Sequence, residues 1–460
     1  MEGAIFPLFL SEQREEGFAR VPATTLYTGM NSHSLISNAN MQIKSIYKYI
    51  STTQKISIFC LLGLTVSAQN NSGVARDSST VRSNEMQYYK NQKDLVDITL
   101  LILKKNPDAR LDSNGIKEGK IYTSVGPILE YTVSTGFTVG IAASGSFLTS
   151  KKKETNTSVI LGAVKFTQKN QFLLPIQSSI WTPSNKYNFL GDWRYLNYPQ
   201  DTYGFGGYTT LVDGYIVTYR YIRFYETFLK KLRSNIYAGI GYQLDYHWGI
   251  QQINPPPGQQ TDYDIYGYYN TSLSSGLTLN ILYDSRKNSA NPAGGSFYCN
   301  LSFLQNSTHL GSNTNWNSIL IDIRKYIKMP NNNVLGFWSY NVFTLSGNPP
   351  YLDLPGTGTD TYNNTGRGYI YDRFIGKKMI DLEAEFRYHI TRNGLIGGVL
   401  FANAESLSEL NTNTFQVISP AAGLGLRFKF NKFSNTNVCI DYAIGTNGSH
   451  GFYGNLGEVF

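Results

Sequence analysis

Between residues 379 and 390 the chain alternates without a break. Asp381, Glu383, Glu385, Arg387 and His389 occupy one set of positions, and Ile380, Leu382, Ala384, Phe386, Tyr388 and Ile390 the other. Side chains of a strand point to opposite faces with a period of two, so this stretch carries a charged row on one face and an apolar row on the other. The pattern recurs where Leu277, Leu279, Ile281 and Tyr283 oppose Thr278, Asn280 and Asp284, and where Leu424, Leu426, Phe428 and Phe430 oppose Gly425, Arg427 and Lys429. A water-soluble barrel would bury apolar residues inside and turn polar ones out, which leaves the charged rows without a place. A barrel in a bilayer has an apolar outer band and a polar lumen, and it accommodates both rows.

Reading on this basis, the chain predicts about sixteen strands between residues 120 and 460. They fall near 121–131, 136–148, 156–168, 171–182, 187–197, 214–229, 234–249, 273–284, 295–305, 315–327, 333–346, 377–389, 394–404, 416–430, 436–444 and 451–460. Long connections such as 198–213, 250–272 and 347–376 follow odd strands, and most of those after even strands are short. An even count with long outer loops and short periplasmic turns places both ends of the barrel on the periplasmic side. The expected fold class is all-β, a transmembrane antiparallel β-barrel of about 16 strands with a short N-terminal helix.

Ahead of the barrel the pattern differs. Lys44, Lys48 and Lys55 precede the apolar run from Ile56 to Val66, and Val66-Ser67-Ala68 supplies small residues before Gln69, the order of a secretory signal peptide. Residues 1–68 are therefore expected to be a signal peptide with an upstream extension, with Met41 as the true start. Residues 69–119 are expected to form a periplasmic segment, disordered at first and then helical over 84–105, where Leu95, Ile98, Leu101 and Ile102 have amphipathic spacing and Pro107 closes the run. This helix either packs on the barrel mouth or docks a periplasmic partner.

Composition agrees with a strand-rich membrane protein. Charged residues make up 16% and aromatics 14%, with 34 Tyr, 25 Phe and 43 Gly, a mixture suited to strands and turns. After residue 68 no apolar run approaches the length of about 20 that a spanning helix needs. The net charge of +8 is scattered without a basic stripe, so nucleic-acid binding is not expected. Cys299 and Cys439 face opposite sides of their strands, which argues against a disulfide. The five His have no metal-ligand spacing, and neither a Gly-x-Ser-x-Gly elbow nor a phosphate loop occurs. No enzyme activity, metal or cofactor is expected.

Three features carry candidate function. Gly366-Arg367-Gly368-Tyr369 falls in the long loop after the eleventh strand, next to the row of Asp381, Glu383, Glu385 and Arg387, which offers partners to an arginine folded inward. Pro127 in the first strand lacks a ladder donor, and Gly451, Gly454 and Gly457 weaken the last one, so the seam between first and last strands is expected to be weak. Phe460 ends the closing strand, which also contains Phe452 and Leu456.

Together these stretches resemble the BamA/TamA outer-membrane superfamily, also called the bacterial surface antigen family. Gly126-Pro127-Ile128-Leu129-Glu130-Tyr131 with Gly136 and Gly140 resembles its opening hairpin. Tyr198-Pro199 leading to Tyr203-Gly204-Phe205-Gly206 is similar to a family loop, and Asp284-Ser285-Arg286 with Pro292 and Gly295 to a periplasmic turn. Gly366 to Tyr369 resembles the arginine motif of the sixth outer loop, and Gly423 to Phe428 with Ile440-Asp441-Tyr442 the closing strands. The terminal aromatic Phe460 is similar to the signal that directs barrels to the assembly machinery, although Glu458 departs from the apolar residue usual there.

The resemblance covers residues 120–460. It implies residence in the outer membrane of a Gram-negative bacterium, contact with outer-membrane lipid, and insertion or translocation of nascent outer-membrane proteins. Two departures stand beside it. The segment before the barrel is too short for a POTRA repeat, and Asn403 stands where the resemblance leads one to expect an aspartate for the loop arginine. Arg367 is then expected to meet Glu383 or Glu385. The alternative reading is a porin-like or plugged channel for small solutes.

Overall fold

The computed structural model describes residues 87, 90–110, 121–132, 134–150, 155–267, 270–432 and 435–460. The expected signal peptide and the start of the expected helix lie outside these residues.

Sixteen strands form one antiparallel sheet in sequence order. They are β1 Tyr122–Thr132, β2 Gly136–Phe147, β3 Ser158–Thr167, β4 Phe172–Trp181, β5 Tyr187–Thr202, β6 Tyr215–Arg233, β7 Ile236–Ile253 and β8 Thr271–Asp284. There follow β9 Phe297–Asn306, β10 Trp316–Lys328, β11 Val334–Gly347, β12 Lys378–His389, β13 Ile396–Leu407, β14 Ser419–Asn431, β15 Thr436–Ile444 and β16 His450–Leu456. A short helix, Asp262–Gly267, sits in the loop after β7. Every strand expected from the alternation is present. The largest shift in a boundary is that β5 continues to Thr202, so Tyr198 and Pro199 belong to a strand rather than a loop.

The sheet closes because its two edges meet. β1 and β16 lie against each other, but no residue-by-residue ladder joins them among the described residues. Pro127 pairs in register with Ile141 on β2, and Gly451 and Gly454 lie in β16. Gly457 does not belong to that strand. It follows Leu456 with φ +96°, a left-handed conformation that glycine adopts without the penalty of a Cβ, and it turns the chain into the barrel.

The two rows take the faces that the alternation assigns. Leu277, Leu279, Ile281, Leu424 and Leu426 are exposed on the outer wall, whereas Asp381, Glu383, Glu385, Arg387 and Arg427 are buried inside. The inner row is not bathed in water, because the loop after β11 and the last four residues cover it. His389, the last residue of β12, is exposed.

Helix α1, Leu95–Ile102, ends three residues before the expected boundary at 105 and is held differently. Asp94 caps it and forms a capping box with Asp97, and both carboxylates are fully buried. Lys432, in the turn after β14, donates its main-chain N–H to Asp94 at 2.8 Å and its ammonium to Asp97 at 2.9 Å. Of the apolar residues, Leu101 and Ile102 are exposed and take no part in the anchor, whereas Leu95 and Ile98 are half-buried. Polar capping groups serve as the docking face because the barrel rim offers a lysine there.

An arginine placed in the outer band should oppose insertion. Leu424→Arg is expected to lower the folding free energy into lipid vesicles by about 2–4 kcal/mol, measured by denaturant titration. An unchanged midpoint would show that this face does not meet lipid.

Candidate functional site

The loop after β11, residues 348–377, folds into the lumen instead of extending outward. Its path requires small residues at the motif. Gly366 has φ +70°, and a Cβ there would lie 2.9 Å from Glu405 Oε2; Gly368 has φ +117°, and a Cβ there would meet that of Ala421 at 2.6 Å. The glycines let the backbone reach the wall, and Arg367 is carried with it.

Arg367 is 2% exposed and touches three carboxylates. Its Nη2 donates to Glu385 at 2.9 Å and Glu383 at 3.0 Å, and its Nη1 donates to Asp441 of β15 at 2.8 Å. The guanidinium also lies over the ring of Phe401, 3.7 Å from its centroid. Burial pulls its pKa down, and the carboxylates of Glu383, Glu385 and Asp441 reverse that effect and leave it raised. Asn403 serves the main chain, donating from Nδ2 to the Arg367 carbonyl at 2.7 Å. An amide can bond a carbonyl in this way; an aspartate could not donate to it.

The remaining motif residues tie the loop to the closing strands. The Tyr369 hydroxyl donates to the Pro420 carbonyl at 2.7 Å, and the Tyr453 hydroxyl of β16 accepts from the Gly368 N–H at 2.9 Å and donates to the Tyr369 carbonyl at 2.8 Å. The rest of the loop reaches the opposite wall. Arg194 Nη2 holds the Thr361 carbonyl at 2.5 Å, Gln200 bonds Asp372, and Ser274 donates to Asp353 at 2.5 Å.

Two residues of the charged row have other roles. Asp381 is fully buried but makes no hydrogen bond to Arg367, and Arg387 pairs with Glu385 and reaches the Phe460 carbonyl oxygen at 2.6 Å. Phe460 is accordingly displaced from the position expected at the end of the closing strand. It is buried in the lumen against Trp338 and Tyr326, with ring centroids 5.3 and 6.3 Å away. Glu458, whose charge looked out of place in a terminal strand, accepts from Arg427 Nε at 2.8 Å and Asn437 at 2.6 Å. Its main-chain N–H bonds the Ala290 carbonyl at 2.7 Å, which joins the tail to the turn after β8.

Asp441 and Arg427 complete the network, with Arg427 Nη1 donating to Asp441 at 2.5 Å. Neither was singled out as a partner of the loop. The signal was in the alternation, which turns Asp441 and Arg427 inward just as it does the row on β12; nothing local showed that β15 lies within reach of loop 6. Cys299 and Cys439 are both free thiols.

The fold and the site define a β-barrel with a lipid-facing outer wall and a lumen closed by its sixth outer loop. No protein-family model matches the chain, and no curated protein matches it in sequence. Among solved structures, it is similar to BamA from Haemophilus ducreyi lacking POTRA domains 1–3, with 12% identity, a TM-score of 0.48 and coverage of 81% of each chain. It is also similar to CdiB from Escherichia coli, with 8% identity, a TM-score of 0.49 and coverage of 74% of this chain and 63% of that one. For CdiB from Acinetobacter baumannii the figures are 10%, 0.45, 72% and 64%.

Removing the guanidinium would strand the buried carboxylate of Glu383, which has no other cationic partner among the described residues, and would take one of two arginine partners from Glu385 and from Asp441. Arg367→Ala is expected to destabilise the barrel by about 3–5 kcal/mol, the usual cost of breaking a buried pair from one side. The midpoint of heat-induced unfolding on a gel measures this. A lysine cannot span three acceptors in two directions, so Arg367→Lys should recover only part of the loss.

Proposed function

We propose that the chain is an outer-membrane barrel of a Gram-negative bacterium that inserts or translocates other proteins at that membrane. The observation that carries the reading is the placement of Arg367. A loop arginine is buried at the lumen wall on carboxylates from β12 and β15, while the neighbouring residues Gly368 and Tyr369 are held by Tyr453 of the closing strand. The position of the loop is thereby linked to that of β16. Edge groups left unpaired in a bilayer cost several kcal/mol each, so a seam with no ladder among the described residues is the weakest part of the wall and the place where a client strand could pair. The reading assigns no catalysis to the chain.

The second reading is a plugged channel. It is favoured by a polar cavity of about 230 Å³ between loop 6 and the inner faces of β3 to β7, lined among others by Arg194, Tyr219, Tyr221 and Arg223. An open porin fits less well, because loop 6 and residues 457–460 fill the lumen.

Depletion of the protein separates these readings. An assembly role predicts that particular outer-membrane proteins fall in abundance by quantitative proteomics, and an unchanged outer-membrane proteome would sink it. In planar bilayers the wild type should be closed or flicker, and Arg367→Ala should show larger openings as the loop loosens. Large steady conductance from the wild type would favour a porin.

A further inference from the structure

The outer wall of β7 to β10 departs from a plain apolar surface in two ways. The first is a groove of about 330 Å³, lined by Ala238, Leu279, Ile281, Leu301, Phe303 and Ile319. It opens beside Ala238, which pairs in register with Ile281 and supplies only a methyl group. The second is Lys325. Along β10, Asp322, Arg324 and Tyr326 are buried on the lumen side, so Lys325 points outward between Ile323 and Ile327. Its ammonium lies 5.5 Å from the ring centroid of Phe297, and no carboxylate pairs with it among the described residues.

The two features share one vertical track. The pairing of β9 with β10 sets Phe303 opposite Ile319, Leu301 opposite Ile321, Cys299 opposite Ile323 and Phe297 opposite Lys325. Cys299 is the smallest side chain on this stretch of the outer face of β9, which lowers the surface between the groove and the lysine. From Ile319 to Lys325 the strand rises about 20 Å at roughly 3.3 Å per residue. With a tilt of about 40° that is about 15 Å of depth, half of a hydrocarbon core about 30 Å thick. Lys325 lies toward the periplasmic end of β10, so it stands at headgroup level when the groove stands near the midplane.

We propose that this track binds one phospholipid of the periplasmic leaflet, with its phosphate at Lys325 and the end of an acyl chain in the groove beside Ala238. An ionisable residue on a lipid-facing wall calls for a partner. A phosphate supplies the opposite charge at the right depth, and the groove distinguishes a seated lipid from a lysine that merely extends its stem toward water. The inference rests on the barrel residing in a membrane and is independent of any role in protein insertion. A chain absent from the membrane fraction would fail at that step, before any lipid is measured.

The test uses the full chain purified from membranes in detergent, with native mass spectrometry counting the phospholipids that survive delipidation. About one lipid per barrel is expected for the wild type. Lys325→Gln should lower retention about fivefold, the worth of one lysine near an anionic surface, and Ala238→Phe, which fills the groove, should lower it similarly. A heat-induced shift in gel migration matching that of the wild type would show that both variants are folded. Should either fail to fold, the delipidated wild type decides: phosphatidylglycerol should rebind and diacylglycerol, which lacks the phosphate, should not. A wild type that retains no lipid, variants that retain as much as the wild type, or equal binding of the two probes would overturn the proposal.

Discussion

One buried cation organises the interior. Arg367 sits 2.8–3.0 Å from three carboxylates contributed by two strands, β12 and β15, that are not neighbours in the sheet. Bringing a guanidinium and acids together away from water is favourable only when geometry and hydrogen bonding are good. Here the geometry comes from glycines that let the loop approach the wall and from Asn403 and Tyr453, which fix its backbone. Without the arginine Glu383 would lose its cationic partner in a covered lumen, and without the row the loop would lose the buried ion pairs at its motif.

The same network spreads to the end of the barrel where the tail lies. Glu385 pairs with both Arg367 and Arg387, Arg387 reaches Phe460, and Asp441 is shared by Arg367 and Arg427, which holds Glu458. Asn364 of loop 6 also donates to the Val459 carbonyl at 2.7 Å. The outer loop and the tail are therefore parts of one electrostatic structure, and both cover the lumen. The edge strands β1 and β16 take less support from backbone pairing, so the contacts of Tyr453 with the loop motif matter more for closure than its place in a short strand suggests.

The barrel itself was legible in the sequence. Alternation fixes which face of each strand meets lipid, turn residues fix where strands stop, and a bilayer admits few other arrangements of such strands. Arg367 and its acceptors Glu383 and Glu385 were legible too, because a lone motif arginine stood beside an alternating acid row. Asp441 was not, since its closeness to loop 6 depends on how the sheet curves. Phe460 shows how a local rule gives way. Its apolar character suits an outer wall, but Gly457 turns the chain and Trp338 and Tyr326 offer a buried site. Likewise Leu101 and Ile102 looked like the docking face of a helix that is in fact held by Asp94 and Asp97.

By itself the sequence determined what recurs with period two: strand positions, the two faces of the wall, and the charges that must lie inside. Tertiary structure alone decided which of those charges meet, where the tail goes, and how the helix is held. The physical reason is range. Side-chain alternation is a property of neighbours along the chain, whereas the partners of Arg367, Glu458 and Lys432 come from segments that only closure of the sheet brings within hydrogen-bonding distance.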